Sequence, residues 1–84
     1  MNRKVTVVGG AGNVGATVAR AVAHKELADV VVVDIAETKA QGIALDIYQS
    51  CPVAGSSAKV VGYGATDEGF AASANSDVVV ITAG

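Results

Sequence analysis

Three glycines near the amino terminus have the spacing of a loop that can hold a phosphate group. The pattern G-x-G-x-x-G is matched by Gly10, Ala11, Gly12, Asn13, Val14 and Gly15. In such a loop the first glycine permits a tight turn, the second lets the backbone approach a pyrophosphate, and the third lets a helix pack closely on a strand. Free N–H groups at the start of the helix donate to the phosphate. We therefore expect this loop to bind the pyrophosphate of a dinucleotide.

A carboxylate follows the glycine loop at the distance expected in a dinucleotide site. Asp34 lies roughly 20 residues beyond Gly15, near the end of a β-branched segment. Its carboxylate can accept hydrogen bonds from both hydroxyls of an adenosine ribose. A 2′-phosphate would meet this negative charge with no arginine nearby, so the sequence predicts NAD rather than NADP as the cofactor.

Alternative interpretations of these residues remain open. The glycines can form a plain turn, and Asp34 can be an exposed acid at a strand end. A nucleotide-hydrolysing loop of the form G-x-x-x-x-G-K-[ST] is matched at Gly10, Gly15 and Thr17. It requires a lysine where this chain has Ala16, so nucleotide hydrolysis is disfavoured.

Four segments rich in β-branched residues are predicted to be strands, at residues 4–8, 29–35, 58–63 and 77–82. Their apolar residues are continuous rather than alternating, which is typical of a parallel sheet covered on both faces.

Three segments between the strands have helical periodicity. The first follows the glycines, and its apolar stripe comprises Val14, Val18 and Val22 with Ala11 and Ala21. The second runs from Glu37 towards Tyr48 and stops before Pro52, with a stripe of Ala36, Ala40, Ile43, Ala44 and Ile47. The third is short, with Asp67 as its N-cap and two inward residues, Phe70 and Ala74.

This alternation predicts an α/β fold. Right-handed crossovers between the strands give a partial doubly wound, Rossmann-like parallel sheet with the spatial order 3-2-1-4.

Composition argues against several other classes of function. The net charge of −2 does not favour binding to nucleic acid. The longest strictly apolar runs have four residues, far fewer than the roughly 20 of a membrane span. With one cysteine, Cys51, and one histidine, His24, the chain can form neither an internal disulfide nor a Cys/His metal cluster. We expect Cys51 to be a packed thiol and His24 to be non-catalytic, in a cytoplasmic protein.

Four segments together resemble the N-terminal part of malate dehydrogenases of the lactate-dehydrogenase-like group. They are G-G-A-G-N-V-G, V-V-V-D-I, K-A-Q-G-I-A-L-D-I and S-D-V-V-V-I-T-A-G, and the resemblance covers essentially the whole chain. Members of this family pass a hydride between malate and NAD. The resemblance implies that Gly10 to Gly15 hold the pyrophosphate and Asp34 the adenosine ribose. It further implies that Tyr63 and Gly64 lie beside the adenine. The approach to the nicotinamide would be lined by Thr82, Ala83 and Gly84.

The resemblance also implies contact between subunits. The helix that bears Gln41, Gly42, Leu45 and Tyr48 is similar to the family's subunit-contact helix. Leu45 and Tyr48 form a second apolar edge that one sheet cannot cover, and Gly42 would allow another helix to approach closely. We therefore expect a homo-oligomer.

The family's catalytic histidine and acid pair has no counterpart in these 84 residues, which stop before its arginine-bearing loop and substrate domain. We expect residues 1–84 to be a half-domain that binds the cofactor without turnover. An alternative is a self-associating structural fragment that pairs through strand 77–82. A third is that these residues are part of an active enzyme, and the choice between malate and lactate stays open.

Overall fold

Strands and helices alternate along residues 3–82, the part of the chain that the computed structural model describes. The elements are β1 (Lys4–Val8), α1 (Asn13–His24), β2 (Asp29–Asp34), α2 (Glu37–Ser50), β3 (Val60–Gly64), α3 (Asp67–Ala72) and β4 (Val78–Ile81). The predicted element order is confirmed, although the last three strands begin or end one or two residues away from their predicted bounds.

The four strands form one parallel sheet in the order β3-β2-β1-β4, which confirms the predicted topology. In the register of the central strands, Val7 lies beside Val32 on one side and Val80 on the other. The order in which successive strands are added reverses at β1, because β2 and β3 lie on one side of β1 and β4 lies on the other. Ligands of such sheets bind at the carboxyl ends of the strands near this reversal.

The core lies between the sheet and the helices α1 and α2, which also contact each other. Val30 and Val32 of β2 point into this layer with Ile47 of α2. Val31 and Val33 alternate with them and are also buried, so β2 is covered on both faces. This explains why its apolar residues are continuous.

Helix α1 is rotated relative to its predicted orientation. Its buried residues are Gly15, Ala19 and Ala23. Of the residues predicted to form the apolar stripe, Val18 and Val22 are only partly buried and Ala21 is exposed. Ala11 is buried but precedes the helix. Val14 is 68% exposed, so its predicted place in the stripe was wrong. The smallest side chains face the sheet because they allow the helix axis to come close to it.

Helix α2 follows its predicted orientation, with Ala40, Ala44 and Ile47 buried and Ile43 partly buried. Ala36, by contrast, is exposed at the N-cap position.

Helix α3 differs from the prediction in its cap and its buried face. Thr66 rather than Asp67 is the N-cap, and its hydroxyl accepts from the amide of Gly69 at 3.5 Å. Gly69 is the buried residue, and a Cβ atom on it would clash with the carbonyl oxygen of Gly64. Phe70, the next residue, is therefore turned outwards by about 100° and is 53% exposed. Ala74 is exposed beyond the end of the helix.

Candidate dinucleotide-binding site

A cleft of about 450 Å³ lies at the carboxyl edge of the sheet. This volume is within the range of small-molecule sites. Its lining comes from the ends of β1 and β2, from residues just beyond β1, β2 and β3, from the first turn of α2 and from the residue after β4. It consists of Val8, Gly9, Ala11, Gly12, Val33, Asp34, Ile35, Ala36, Lys39, Ala65 and Thr82. The sheet thus brings the glycine loop, the strand-end acid and Thr82 to one place, although they are far apart in sequence.

The tight turn after β1 depends on Gly9 rather than on Gly10. Gly9 has a φ of +81°, in the left-handed region that side chains disfavour. A Cβ atom there would also lie 2.5 Å from the carbonyl oxygen of Thr82. The carbonyl oxygen of Gly9 accepts from the Thr82 hydroxyl at 3.1 Å, so the turn is tied to the end of β4. The pair of adjacent glycines was the available sequence signal for this role.

The first and last glycines of the predicted motif are required for close packing. A Cβ atom at Gly10 would lie 2.5 Å from Cγ1 of Val32, so this glycine allows the turn to cross β2. A Cβ atom at Gly15 would lie 2.5 Å from the carbonyl oxygen of Gly9. The sequence predicted that Gly15 lets the helix pack closely on a strand; in the structure, α1 packs at Gly15 on the turn after β1.

The start of α1 offers unsatisfied backbone donors. Gly12 occupies the N-cap position and provides no side-chain hydrogen bond. The amide of Ala16 donates to the Gly12 carbonyl at 2.9 Å and is the first to donate within the helix. The amides of Asn13, Val14 and Gly15 therefore have no acceptor inside the helix, which is the arrangement that binds phosphate.

Asp34 is half-buried at the end of β2, and both oxygens of its carboxylate accept from backbone amides. Oδ2 accepts from the amide of Ala11 at 3.0 Å. Oδ1 accepts from the amide of Ala36 at 3.1 Å. The predicted ribose-binding acid therefore lies in the cleft and contacts the glycine loop directly.

Lys39 also lines the cleft, and the sequence did not single it out. No arginine lines the cleft in residues 3–82, but this lysine places a cation in the lining of the cleft, as Asp34 places an anion there. The sequence feature that could have indicated this role is the position of Lys39 in the first turn of α2, the helix that follows Asp34.

Some predicted site residues lie elsewhere. Ala65 lines the cleft, whereas Tyr63 and Gly64 are not among its lining residues. Gly64 is buried against the side chain of Glu37. Ala83 and Gly84, predicted on the nicotinamide side, lie outside the described residues.

The remaining reactive side chains are held in structural contacts. Nε2 of His24 lies 2.6 Å from Oγ of Ser50, and the Ser50 hydroxyl donates to the Ile47 carbonyl at 2.7 Å. The thiol of Cys51 is buried and donates to the same carbonyl at 3.3 Å. Over residues 3–82 there is no cluster of three or more metal-ligating side chains. No helix in this part of the chain is long and apolar enough to cross a membrane.

Comparison with known proteins gives consistent results. Residues 3–84 match the family described as lactate/malate dehydrogenase, NAD binding domain. The malate dehydrogenase of Heliobacterium modesticaldum is 49% identical over 84 residues, which is 100% of this chain and 26% of the relative. The malate dehydrogenase of Staphylococcus saprophyticus is 50% identical over 98% of this chain and 25% of the relative.

Solved structures of dehydrogenases have the same fold. The lactate dehydrogenase of Cryptosporidium parvum is similar with a TM-score of 0.89 and 44% identity, over 99% of this chain and 26% of that chain. A second structure of that enzyme, in complex with lactic acid and nicotinamide adenine dinucleotide, has a TM-score of 0.88, again at 44% identity, over 99% of this chain and 25% of that chain. The apo malate dehydrogenase of Picrophilus torridus has a TM-score of 0.89 and 41% identity, over 98% of this chain and 25% of that chain.

The chain spans about a quarter of the length of the relatives that it matches. The sequence match over residues 3–84, together with the shared sheet topology, shows that this chain belongs to the lactate/malate dehydrogenase NAD-binding domain family.

Proposed function

We propose that the cleft binds NAD, with the pyrophosphate at the start of α1 and the adenosine ribose at Asp34. The observation that carries this proposal is the contact between the Asp34 carboxylate and the Ala11 amide at 3.0 Å, because it joins the two diagnostic parts of a dinucleotide site. In this proposal Gly10 to Gly15 form the pyrophosphate loop, and Thr82, Ala83 and Gly84 line the nicotinamide side.

The chain's own residues supply binding and orientation. The amides of Asn13, Val14 and Gly15 donate to the phosphates, with support from the positive end of the α1 dipole. Thr82 holds the turn that shapes the loop, since its hydroxyl donates to the carbonyl of Gly9 at 3.1 Å. NAD itself supplies the hydride chemistry when it is bound.

We propose that a protein containing this domain transfers a hydride between NAD and malate. Support comes from the malate dehydrogenases that are 48 to 50% identical over nearly the whole chain. Residues 1–84 contribute cofactor binding rather than turnover, because the single histidine, His24, contacts Ser50 instead of lining the cleft.

Calorimetric titration of the purified chain with NAD and with NADP tests the binding proposal. We expect tighter binding of NAD, and we expect Asp34→Ser to weaken NAD or to narrow its advantage over NADP. Asp46→Ser is the matched control, because Asp46 is an exposed acid on α2 that lies outside the lining of the cleft and forms a surface ion pair with Arg20 at 3.4 Å. A folded chain that binds neither cofactor contradicts the proposal.

We propose that a second copy of the chain packs on the outer face of α2. No atom lies within 4 Å of the position that a Cβ of Gly42 would take, which leaves room for another helix. Leu45 and Tyr48 on this helix are 54% and 47% exposed, so an apolar surface surrounds that space.

The alternative interface is the sheet edge at β4. Val78, Val79 and Ile81 are all about half exposed or more, and β4 lies at the end of the strand order. Pairing of two such edges would give a self-associating structural fragment.

We further propose a cytoplasmic location, which the free, buried thiol of Cys51 supports. Imaging of a fluorescent fusion tests it, and accumulation in an oxidising compartment would contradict it.

A further inference from the structure

We propose that Asp34 has a second role in the cleft: it braces the glycine loop in its binding conformation before a ligand arrives. This inference rests on the proposed function, since it concerns how the same site is prepared. The Asp34 carboxylate accepts from Ala11 in the turn after β1 and from Ala36 in the turn after β2. One side chain therefore joins the two turns that form the cleft.

The backbone of the loop depends on this carboxylate. Within the turn, the amide of Gly12 donates to the carbonyl of Gly9 at 3.1 Å, and the amide of Gly9 donates to the carbonyl of Val33 at 2.8 Å. The amide of Ala11, by contrast, donates to Asp34, and Ala11 is buried. A buried amide without an acceptor is costly, so loss of the carboxylate favours other loop conformations.

Bracing and ribose recognition are compatible at one carboxylate. Its two oxygens offer about four acceptor positions, and the two backbone amides use two of them. The ribose hydroxyls can therefore donate to Asp34 while the loop stays in place. The site is already organised for ligand, which reduces the ordering cost of binding.

The two roles of Asp34 predict different effects on ligands that lack the ribose hydroxyls. If Asp34 recognises only the hydroxyls, its replacement leaves the affinity for such ligands unchanged. If it also braces the loop, their phosphates bind more weakly, because the loop must be ordered when they bind.

The test compares ADP with 2′,3′-dideoxy-ADP by calorimetry on the 84-residue chain and its variants. Asp34→Asn keeps the side-chain size but replaces one acceptor oxygen with a donor, which cannot accept from a backbone amide. Asp34→Glu keeps the charge but shifts the carboxylate by one methylene. If Asp34→Asn and Asp34→Glu weaken binding alike, the loss of negative charge near the phosphates cannot be the cause. Asp46→Asn is the matched control on an exposed acid.

We expect both Asp34 variants to weaken 2′,3′-dideoxy-ADP by about 3- to 10-fold, and the control to change it by less than about 2-fold. The inference is overturned if Asp34→Asn weakens ADP while the affinity for the dideoxy ligand matches that of the control.

Amide hydrogen exchange of the ligand-free protein provides a second measurement. In Asp34→Asn we expect faster exchange at Ala11 and Ala36, with the amide of Val32 in the buried strand as the internal reference for global stability. Unchanged exchange at both amides overturns the inference. Failure of the unmodified chain to bind NAD or ADP, together with faster exchange in the variant, refutes the proposed function and leaves the brace standing.

Discussion

Gly15 of α1 lies so close to the turn after β1 that a Cβ atom on it would stand 2.5 Å from the carbonyl oxygen of Gly9. The same atom would lie 2.7 Å from the α-carbon of Gly10, so backbone atoms rather than a flexible side chain would have to move. The position of α1 therefore depends on the absence of a side chain at residue 15.

Gly15→Ala is expected to destabilise the protein by about 1 to 3 kcal/mol, because the helix must move away from the turn. Gly42→Ala is the matched control: position 42 has open space on α2, where alanine stabilises a helix by up to about 1 kcal/mol relative to glycine. Urea denaturation at low protein concentration measures both changes. Equal effects of the two substitutions would show that the contact at Gly15 is unimportant.

Asp34 and Lys39 are expected to have opposite effects on the choice between NAD and NADP: the carboxylate of Asp34 disfavours NADP, and the ammonium group of Lys39 favours it. Removal of the carboxylate in Asp34→Ser reduces its repulsion of a 2′-phosphate and narrows the preference for NAD by about 10-fold. We expect Lys39, a cation that also lines the cleft, then to attract the phosphate. Adding Lys39→Gln to the Asp34→Ser variant should weaken NADP by about 2- to 5-fold and leave NAD nearly unchanged.

Calorimetric titration of the two single variants and the double variant with both cofactors measures these effects. An equal loss for NAD and NADP on Lys39→Gln would contradict a role of Lys39 at the 2′ position.

Glu26 is expected to make stability depend on pH on the acid side. The hydroxyl of Ser57 donates to its carboxylate at 2.5 Å and the amide of Ser57 at 3.2 Å. These bonds, the hydroxyl first, lower the pKa of Glu26 from its ordinary value of 4.5. Because the folded pKa is the lower one, the stabilisation is present above about pH 4.5 and is lost as the pH falls through the folded value.

The unmodified chain should therefore have a larger free energy of unfolding than Glu26→Gln near neutral pH. This difference should shrink as the solution is acidified. Urea titrations at several pH values measure it. Ser57→Ala, which removes the hydroxyl donor, should reduce the same pH dependence. An advantage that is constant with pH would refute the role of the Glu26 charge.

Two lysine substitutions distinguish the candidate interfaces between copies. Leu45→Lys places a charge on the outer face of α2, and Val79→Lys places one on β4, in each case at a side chain that is already about half exposed. We expect Leu45→Lys to lower the average mass in sedimentation velocity and Val79→Lys to leave it unchanged. The reverse result would favour pairing of the β4 edges.

Much of the fold could be predicted because its signals are local. Each strand has its own β-branched run and each long helix has its own period. The glycine loop after the first strand then indicates the Rossmann-like order 3-2-1-4. The glycine loop and Asp34 were found from their spacing and from the strands and helix around them, and the parallel sheet brings them to the same edge.

The orientation of α1 and α3 was predicted less well, for one physical reason. Hydrophobicity favoured Val14 and Phe70 for burial, yet the buried residues are Gly15, which packs on the turn after β1, and Gly69, which packs on β3. Where two surfaces pack closely, only the smallest residue fits between them. The distance between the surfaces depends on both of them, so it cannot be predicted from the sequence of one helix.

Residue types and spacing by themselves determined the class of fold, the strand order and the two features, the glycine loop and Asp34, that the sheet brings into one cleft. Only the tertiary structure decided that Gly9 rather than Gly10 takes the left-handed turn, that Lys39 enters the cleft, and that Asp34 holds the amides of Ala11 and Ala36. The contacts of Gly9 with Thr82 and of Asp34 with Ala11 join segments that are distant in the chain, whereas the predicted features depend on the local backbone and on the rules of parallel sheets.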